Sequence, residues 1–188
     1  MDGTDPTAAT RTQDARYQRA ADAFGPALER LARGYEADPD LRRDLLQDIH
    51  IALWRSFASF DGRCADRTWV YRVAHNTGVS HMLRRRRARP AALASLEELA
   101  DRPDPGQPSP EAQVSARQTL SRLSDLIATL KPTDRQVVLL YLEGLDAAAI
   151  GEVCGLTPGA VATKLHRLKA LLAQRFQHSP SQGGGHAD

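Results

Sequence analysis

A proline-rich segment divides this chain of 188 residues into two parts. Five of the 11 prolines lie between positions 90 and 110, among acidic residues and serines. Because proline lacks a backbone N–H and keeps the preceding residue out of helical geometry, this composition predicts a semi-extended linker. We therefore expect two small domains rather than one large core. The predicted units are a disordered extension over 1–18, a first domain over 19–92, a linker over 93–112, a second domain over 113–177 and a disordered tail over 178–188.

Helical periodicity dominates on both sides of the linker, and no segment alternates polar and apolar residues as a strand does. Apolar residues recur at helical spacing over about 40–58, which predicts a strongly amphipathic helix. Thr68 is the predicted N-cap of a second helix that runs into the arginines at 84–87. The predicted fold class is all-α, with two small helical domains.

Basic residues are concentrated in two places, although the whole chain carries a net charge of only +2. Residues 63–89 include eight basic residues and one acid, and residues 160–176 include four basic residues and no acid. The remainder of the chain is therefore acidic. Two basic segments indicate two contacts with a polyanion, and we favour nucleic acid over two solvated basic faces.

Several classes of protein are disfavoured by what the sequence lacks. It has no apolar run of the roughly 18 residues that a membrane span needs, and no apolar region near its start that marks a secretory signal. Cys64 and Cys154 are far apart and have no metal-ligand spacing. It has neither a P-loop nor a nucleophile–base motif. These observations predict a cytoplasmic protein without cofactor, bound metal or catalytic residues.

The second domain has the spacing of a helix-turn-helix. Thr133 and Gln136 fit a capping box for one helix, and Asp146 can cap the next. Thr157 followed by Pro158 is a favoured start for a last, basic helix, which would enter a major groove. The predicted DNA contacts of this helix are Thr157, Ala160, Thr163, Lys164 and Arg167. An ordinary helical hairpin with solvated basic residues is the alternative.

The first domain combines aromatic and basic residues. Helical spacing places Ile51 and Trp54 on a charged face of the 40–58 helix, which resembles a protein-binding patch with a polar rim. Packing of Trp54 within its own domain explains the pattern equally well. Arg72 and Asn76 share a face of the next helix, where Asn can read a base edge and Arg can hold a phosphate. An exposed asparagine of no consequence is the alternative there.

Three stretches of the sequence together carry a family resemblance. They are DLLQDIHIALWRSFASFDG at 44–62, RTWVYRVAHN at 67–76 and LKPTDRQVVLLYLEGLDAAAIGEVCGLTPGAVATKLHRLK at 130–169. In this order across a linker, they resemble the extracytoplasmic-function (ECF) sigma factors of the sigma-70 family over about 20–90 and 115–176. The resemblance implies a bacterial RNA polymerase specificity subunit built from sigma domain two and sigma domain four.

The resemblance also implies a role for each part of the chain. Domain two would dock on the clamp helices of the polymerase β′ subunit and would recognise and melt the minus-ten promoter element. Its core-binding residues would be Asp44, Gln47, Asp48, Ile51, Trp54 and Arg55. Its DNA-binding residues would be Phe60, Asp61, Arg63, Arg67, Trp69, Arg72, Asn76, Arg84, Arg85 and Arg86, with the loop over 60–67 holding a flipped base. Domain four would sit on the β flap and read the minus-thirty-five element, and an anti-sigma factor would be a further partner.

Three positions depart from the family pattern. His50 stands where the family often has Phe, Gly151 stands where it usually has Ala, and Ala162 stands where it commonly has Lys or Arg. The last departure removes a frequent DNA contact of the family.

Two other functions are consistent with parts of the sequence. A stand-alone helix-turn-helix regulator would explain the second domain but would leave the first domain unexplained. A small nucleic-acid enzyme would use Asp61, Asp66 and His75 as metal or acid–base groups, although their spacing fits no catalytic template.

Overall fold

The computed structural model describes residues 6–88, 93–100 and 116–176, which form eight helices and no strand. In chain order the helices are α1 Pro6–Tyr35, α2 Pro39–Ser56, α3 Asp66–Ala88, α4 Leu96–Ala100, α5 Ala116–Thr129, α6 Pro132–Leu142, α7 Ala147–Cys154 and α8 Pro158–Phe176. The prediction of an all-α fold is confirmed for these residues. None of the helices they form is both long and apolar enough to cross a membrane.

Helix α2 lies where the apolar periodicity predicts it. The Asp38 carboxylate accepts hydrogen bonds from the backbone N–H groups of Asp40 at 2.9 Å and Leu41 at 3.1 Å, which caps the helix. One face packs against both α1 and α3. Its fully buried residues are Leu45, Ile49 and Leu53. Each contributes about 1.5–3 kcal/mol of hydrophobic stabilisation, so α2 holds the bundle of the first domain together.

Helix α1 starts well before residue 19, so the prediction of disorder over 1–18 is wrong for residues 6–18. The polar early turns of α1 find partners across the bundle. Gln13 donates from Nε2 to the Trp54 carbonyl at 2.7 Å, and Arg16 donates from Nη1 to the Phe60 carbonyl at 3.0 Å. These partners lie 41 and 44 residues away in sequence, beyond the reach of a local pattern.

Helix α3 starts at Asp66, so the prediction that Thr68 is its N-cap is also wrong. Thr68 is buried, and its hydroxyl donates to the Glu152 carboxylate of the second domain at 3.2 Å. The hydroxyl that a cap would use is therefore engaged by a distant acid.

Part of the predicted linker is packed rather than extended. The Ala94 N–H donates to the Thr129 carbonyl at 2.9 Å, and the Lys131 N–H donates to the Ala94 carbonyl at 2.8 Å. Helix α4 follows and buries Leu96 and Leu99 against the second domain, where it packs on α8. Apolar residues three apart give this short segment a face to bury, and this corrects the linker prediction for 93–100. The rest of the predicted linker and the predicted tail over 178–188 lie outside the described residues.

The second domain contains the predicted helix-turn-helix in α7 and α8. The Asp146 side chain accepts from the Ala149 N–H at 2.8 Å, and the Thr157 hydroxyl accepts from the Ala160 N–H at 3.3 Å. Both predicted caps are confirmed.

The predicted capping box at the start of α6 is absent. No side chain caps this helix, and Lys131 occupies the N-cap position. Pro132 takes the first helical position, which proline favours, so Thr133 falls inside the first turn and cannot act as the cap.

The two domains pack directly against each other, with α1 against α5 and α3 against α7. At Gly34 the α1 backbone lies so close to the Leu139 side chain of α6 that a Cβ atom would overlap it. A side chain at this position would have to displace the Leu139 side chain, so glycine allows α1 and α6 to approach without that displacement.

Candidate nucleic-acid interfaces

The turn between α7 and α8 fixes the angle at which α8 leaves the domain. Gly155 adopts the left-handed conformation, with φ of 70°, and ends α7. The Leu156 N–H then donates to the Gly151 carbonyl at 3.0 Å. A Cβ atom at Gly151 would lie 2.6 Å from the Leu156 carbonyl oxygen, closer than real contacts allow. The glycine that departs from the family pattern is therefore required by the turn geometry of this chain.

The start of α8 presents three of the five predicted DNA contacts on one side. Thr157 and Thr163 are exposed and Ala160 is half-buried. The Thr163 hydroxyl donates to the Gly159 carbonyl at 3.0 Å, which leaves its oxygen able to accept a further hydrogen bond. Ala162 is exposed beside them and adds only a methyl group. This part of α8 can contact base edges, but it carries no cation of its own.

The other two predicted contacts, Lys164 and Arg167, are held by acids within the chain. The Lys164 ammonium lies 2.6 Å from Asp134 Oδ1 and 3.9 Å from Glu97 Oε1, and Arg167 also pairs with Glu97. The pKa of the Glu97 carboxyl is lowered by its backbone hydrogen bond and by these two cations. Both cations lie on the same helix as the exposed residues, but acids of the chain engage them.

Asp134 has a structural role that the sequence does not reveal. It is almost completely buried, and its second oxygen accepts from the Leu96 N–H at 3.0 Å. One carboxylate thus fastens α4 and α8 to α6. An acid in the first turn of a helix is commonplace, so no local signal distinguishes Asp134 from a solvated residue.

Helix α3 carries the Arg72–Asn76 face. Asn76 is exposed, whereas Arg72 donates from Nη2 to the Glu152 carbonyl of α7 at 2.7 Å. Arg67 donates to the Glu143 carbonyl at 3.2 Å, and its guanidinium lies 5.7 Å from the centre of the Tyr71 ring. Two of the predicted minus-ten cations are therefore engaged by the second domain.

The arginines at the C-terminal end of α3 are divided between pairs and solvent. Arg84 lies 3.2 Å from Asp48 of α2, and Arg85 lies 3.3 Å from the buried carboxylate of Glu36. Arg86 is exposed. The bond between Arg84 and Asp48 joins the predicted DNA face of α3 to the predicted polymerase face of α2.

The loop between α2 and α3 is built on stacked aromatic rings. Phe60 lies between Phe57, with ring centres 5.9 Å apart, and Trp69, with ring centres 5.0 Å apart. Trp69 also donates from Nε1 to the Ser56 hydroxyl at 2.9 Å. The tip of the loop, Asp61 to Arg63, is exposed. Backbone and side-chain hydrogen bonds from Arg63 lower the pKa of the Asp61 carboxyl. The tip of the loop therefore carries an Asp61–Arg63 ion pair next to the stacked aromatic rings.

The candidate polymerase face of α2 is largely open to solvent. Ile51 is 40% exposed and Trp54 is 38% exposed, and the Trp54 indole donates from Nε1 to Asp14 of α1 at 2.8 Å. The remaining members, Asp44, Gln47, Asp48 and Arg55, are all exposed. Trp54 therefore contacts α1 of its own domain and also presents part of its ring to solvent, so both interpretations of this residue stay open.

His75 lies in the core and away from the acids with which a nuclease-like site would need to combine it. It is 1% exposed, and its Nδ1 atom lies 2.9 Å from the Tyr35 hydroxyl. Burial lowers the pKa of the imidazole to about 3. Asp61 and Asp66 are both exposed, and the described residues contain no cluster of acids, histidines or cysteines suited to a metal. The three residues that a small nucleic-acid enzyme would use, Asp61, Asp66 and His75, therefore do not form a shared site.

His50, the second departure from the family pattern, has a partner in α1. The Tyr17 hydroxyl lies 3.1 Å from His50 Nδ1, and partial burial lowers the pKa of this imidazole. The polar side chain at this position is thus matched by a polar partner on the neighbouring helix.

Comparison with protein families assigns both domains. The family model for Sigma-70 region 2 matches residues 20–88, and that for Sigma-70 region 4 matches residues 120–172. The first match covers α2, α3 and the part of α1 from residue 20 onward, which a stand-alone helix-turn-helix regulator leaves unexplained.

Curated relatives extend over most of the chain. The RNA polymerase sigma factor CnrH of Cupriavidus metallidurans is 32% identical over 158 residues, which are 79% of this chain and 80% of the relative. The ECF RNA polymerase sigma-E factor of Haemophilus influenzae is 30% identical over 141 residues, which are 71% of this chain and 74% of the relative.

Two solved structures share the fold. CnrH in complex with the cytosolic domain of CnrY superposes with a TM-score of 0.62 at 20% identity, covering 92% of this chain and 96% of that chain. The sigma factor RpoE in complex with the anti-sigma factor NepR, from Bartonella quintana, superposes with a TM-score of 0.61 at 17% identity. This match covers 87% of this chain and 98% of that chain. Together with the two region matches and the identity to CnrH, these findings show that the chain belongs to the ECF sigma factors of the sigma-70 family, which direct RNA polymerase to promoters.

Proposed function

We propose that this sigma factor docks on the β′ clamp helices through the exposed face of α2. The single observation that carries the proposal is the exposure of Ile51 and Trp54 on a helix whose opposite face is fixed in the core. A rigid apolar pair surrounded by exposed polar and charged residues has the anatomy of an interface hot spot. The surrounding residues are Asp44, Gln47, Asp48 and Arg55.

In the proposed mechanism the first domain recognises and melts the minus-ten element. Asn76 is exposed on α3 and offers both a donor and an acceptor to a base edge. The loop over 60–67 would hold a flipped base beside the rings of Phe60 and Trp69. The cations proposed to follow the phosphates are Arg63, Arg67, Arg72, Arg84, Arg85 and Arg86.

Strand separation in this scheme uses binding energy rather than nucleotide hydrolysis. Unstacking one base costs a few kcal/mol, which stacking and phosphate contacts to the captured strand can offset. The protein then acts as a specificity subunit without catalytic activity of its own.

The second domain is proposed to sit on the β flap and read the minus-thirty-five element through the start of α8. Thr157, Ala160 and Thr163 would meet base edges, and the helix N-terminus would face a phosphate. Lys164 and Arg167 would contribute phosphate contacts after exchanging Asp134 and Glu97 for DNA.

An anti-sigma factor is the proposed regulatory partner. CnrH was solved with the cytosolic domain of CnrY, and RpoE with the anti-sigma factor NepR. A partner of the same class would act on this chain in the cytoplasm, where bacterial polymerase works.

Run-off transcription tests the proposal. Core polymerase with and without the full chain is supplied with the promoter region upstream of the gene for this chain, and we expect a specific transcript only when the chain is present. A template with a scrambled minus-ten element is the control. Lack of stimulation on every candidate promoter would contradict the proposal.

A further inference from the structure

Helix α4 belongs to the connection between the domains and is anchored on the second domain. The Ser95 N–H donates to Glu98 Oε2 at 2.7 Å, and the Glu98 N–H donates to Ser95 Oγ at 3.2 Å, which forms a capping box at the start of the helix. Leu96 and Leu99 are buried, and α4 packs on α8. Glu97 lies among these anchors, so its carboxylate is held beside α8.

The Glu97 carboxylate contacts two cations of α8. It pairs with the Arg167 guanidinium, and its Oε1 atom lies 3.9 Å from the Lys164 ammonium. Both cations are among the proposed phosphate contacts of the second domain. A carboxylate oxygen and a phosphate oxygen accept the same charge-assisted hydrogen bonds from a guanidinium, so Glu97 and DNA compete for Arg167.

Exposure distinguishes Glu97 from Asp134, the other acid that contacts these cations. The Asp134 side chain is 3% exposed and accepts from the Leu96 N–H as well as from Lys164. Separating Asp134 from Lys164 leaves a buried charge without its partner, which is costly. The Glu97 side chain is 38% exposed and that of Arg167 is 42% exposed, so water can solvate both groups when they separate. The pair at Glu97 is therefore the one that DNA can open more readily.

We propose that Glu97 is a positioning residue that sets the affinity of α8 for DNA by holding Arg167 in competition with a phosphate. This inference rests on the proposed function, because it takes Arg167 as a DNA contact. When the helix binds DNA, the guanidinium exchanges the carboxylate for a phosphate oxygen, and part of the binding energy is used to open the pair. An acid from the connection between the domains thus limits how tightly the second domain holds a duplex.

Glu97→Gln in the full chain tests this competition, because it removes the charge and keeps the size of a partly exposed side chain. Glu98→Gln is the matched control. It makes the same change in net charge at the adjacent position, where the side chain pairs with Lys131 at 2.9 Å, and glutamine can retain the capping box. Circular dichroism and thermal unfolding check that both variants keep the wild-type fold.

Fluorescence anisotropy with a labelled mixed-sequence DNA duplex measures the affinity. We expect Glu97→Gln to bind about twofold to fivefold more tightly than the wild type, the range that an exposed ion pair contributes, and Glu98→Gln to bind as the wild type does. The slope of log K against log salt concentration should be steeper by about one unit for Glu97→Gln, because Arg167 then neutralises a phosphate without uncovering an acid. A purely structural role of Glu97 would not change this slope.

Arg167→Gln supplies a second test of the same competition. If Glu97 acts through Arg167, most of the gain from Glu97→Gln should disappear when the two substitutions are combined. Three results would overturn the inference: an unchanged affinity of Glu97→Gln, equal gains in Glu97→Gln and Glu98→Gln, or a full gain in the Arg167→Gln background.

Run-off transcription by the wild type with core polymerase separates this failure from failure of the proposed function. The template is the promoter region upstream of the gene for this chain, with its minus-thirty-five element intact or scrambled. Transcription that depends on this element while Glu97→Gln leaves the affinity unchanged rejects only the role of Glu97. Transcription that is indifferent to the element rejects α8 as the helix that reads it.

Discussion

At the scale of single residues, His75 shows how strongly the core of the first domain selects a protonation state. The imidazole is shielded by Tyr35 and Tyr71, with ring centres 5.8 Å and 6.4 Å away, and its pKa is lowered to about 3. In the unfolded chain the same group has a pKa of 6.5. The unfolded state therefore binds one more proton than the folded state between these values.

The stability of the protein should consequently fall as the pH is lowered below 6.5. The contribution from His75 is fully present above that pH and is lost at about 1.4 kcal/mol per pH unit below it. His50, whose pKa is also lowered by burial, acts in the same direction. Urea unfolding at several pH values measures the slope of the free energy of unfolding against pH. His75→Gln should reduce this slope by about one proton.

Asn76 offers a second test at this scale. Replacing Asn76 with Ala removes an exposed amide, so we expect promoter opening to decrease more than binding to core polymerase. Permanganate reactivity of minus-ten thymines reports opening, and native gel electrophoresis reports core binding. Ser80→Ala, one turn further along α3 and also exposed, is the control. Equal losses of opening and core binding would argue against a base contact.

At the scale of elements, the helices fall into two groups. The ends of some are set by nearby residues, whereas others depend on contacts with distant parts of the chain. The bounds of α2 and the caps of α7 and α8 follow from residues within one turn of the helix end, so the sequence predicts them. The early turns of α1 and the short helix α4 depend on contacts with α2 and α8, so the sequence could not reveal them. The same limit applies to Lys164, whose partner Asp134 is 30 residues away.

The turn between α7 and α8 yields a stability prediction. Gly151→Ala places a methyl group against the Leu156 carbonyl and should destabilise the protein by about 1–3 kcal/mol. Gly159→Ala, with open space around it in the first turn of α8, should be neutral or stabilising by about 0.5–1 kcal/mol. Thermal unfolding of both variants measures the difference. Equal stability of the two would show that the turn relaxes freely.

The exposed face of α2 yields a binding prediction. Trp54→Ala should weaken binding to core polymerase by about 10-fold or more while leaving the fold intact. Calorimetric titration with core enzyme measures the loss, and circular dichroism measures the fold. Gln18→Ala, on the exposed side of α1, is the control. Global unfolding of the Trp54 variant would mean that the side chain is structural.

At the scale of the whole molecule, the small net charge of +2 conceals a separation of charge that the fold then partly neutralises. Cations of both basic segments are paired with acids or carbonyls from other parts of the chain. The sequence reveals the segments but not the pairing, because the pairing depends on how the two domains meet.

The molecule alone should therefore bind duplex promoter DNA weakly. We expect gel shifts at physiological salt to show only non-specific affinity, with a Kd of about 10⁻⁴–10⁻⁶ M, until core polymerase is added. The control is the same duplex with core enzyme alone. A tight, specific shift by the isolated chain would point to a regulator that needs no polymerase.

The contact between the domains at Gly34 predicts which residues related proteins can carry at this position. Leu139 occupies the volume where any larger residue at position 34 would place its Cβ atom. A larger residue at position 34 keeps the present alignment of α1 with α6 only if the Leu139 side chain moves aside. Glycine at this position in a related protein therefore marks a chain whose domains can meet as they do here, and a larger residue predicts a smaller or displaced side chain at the position of Leu139.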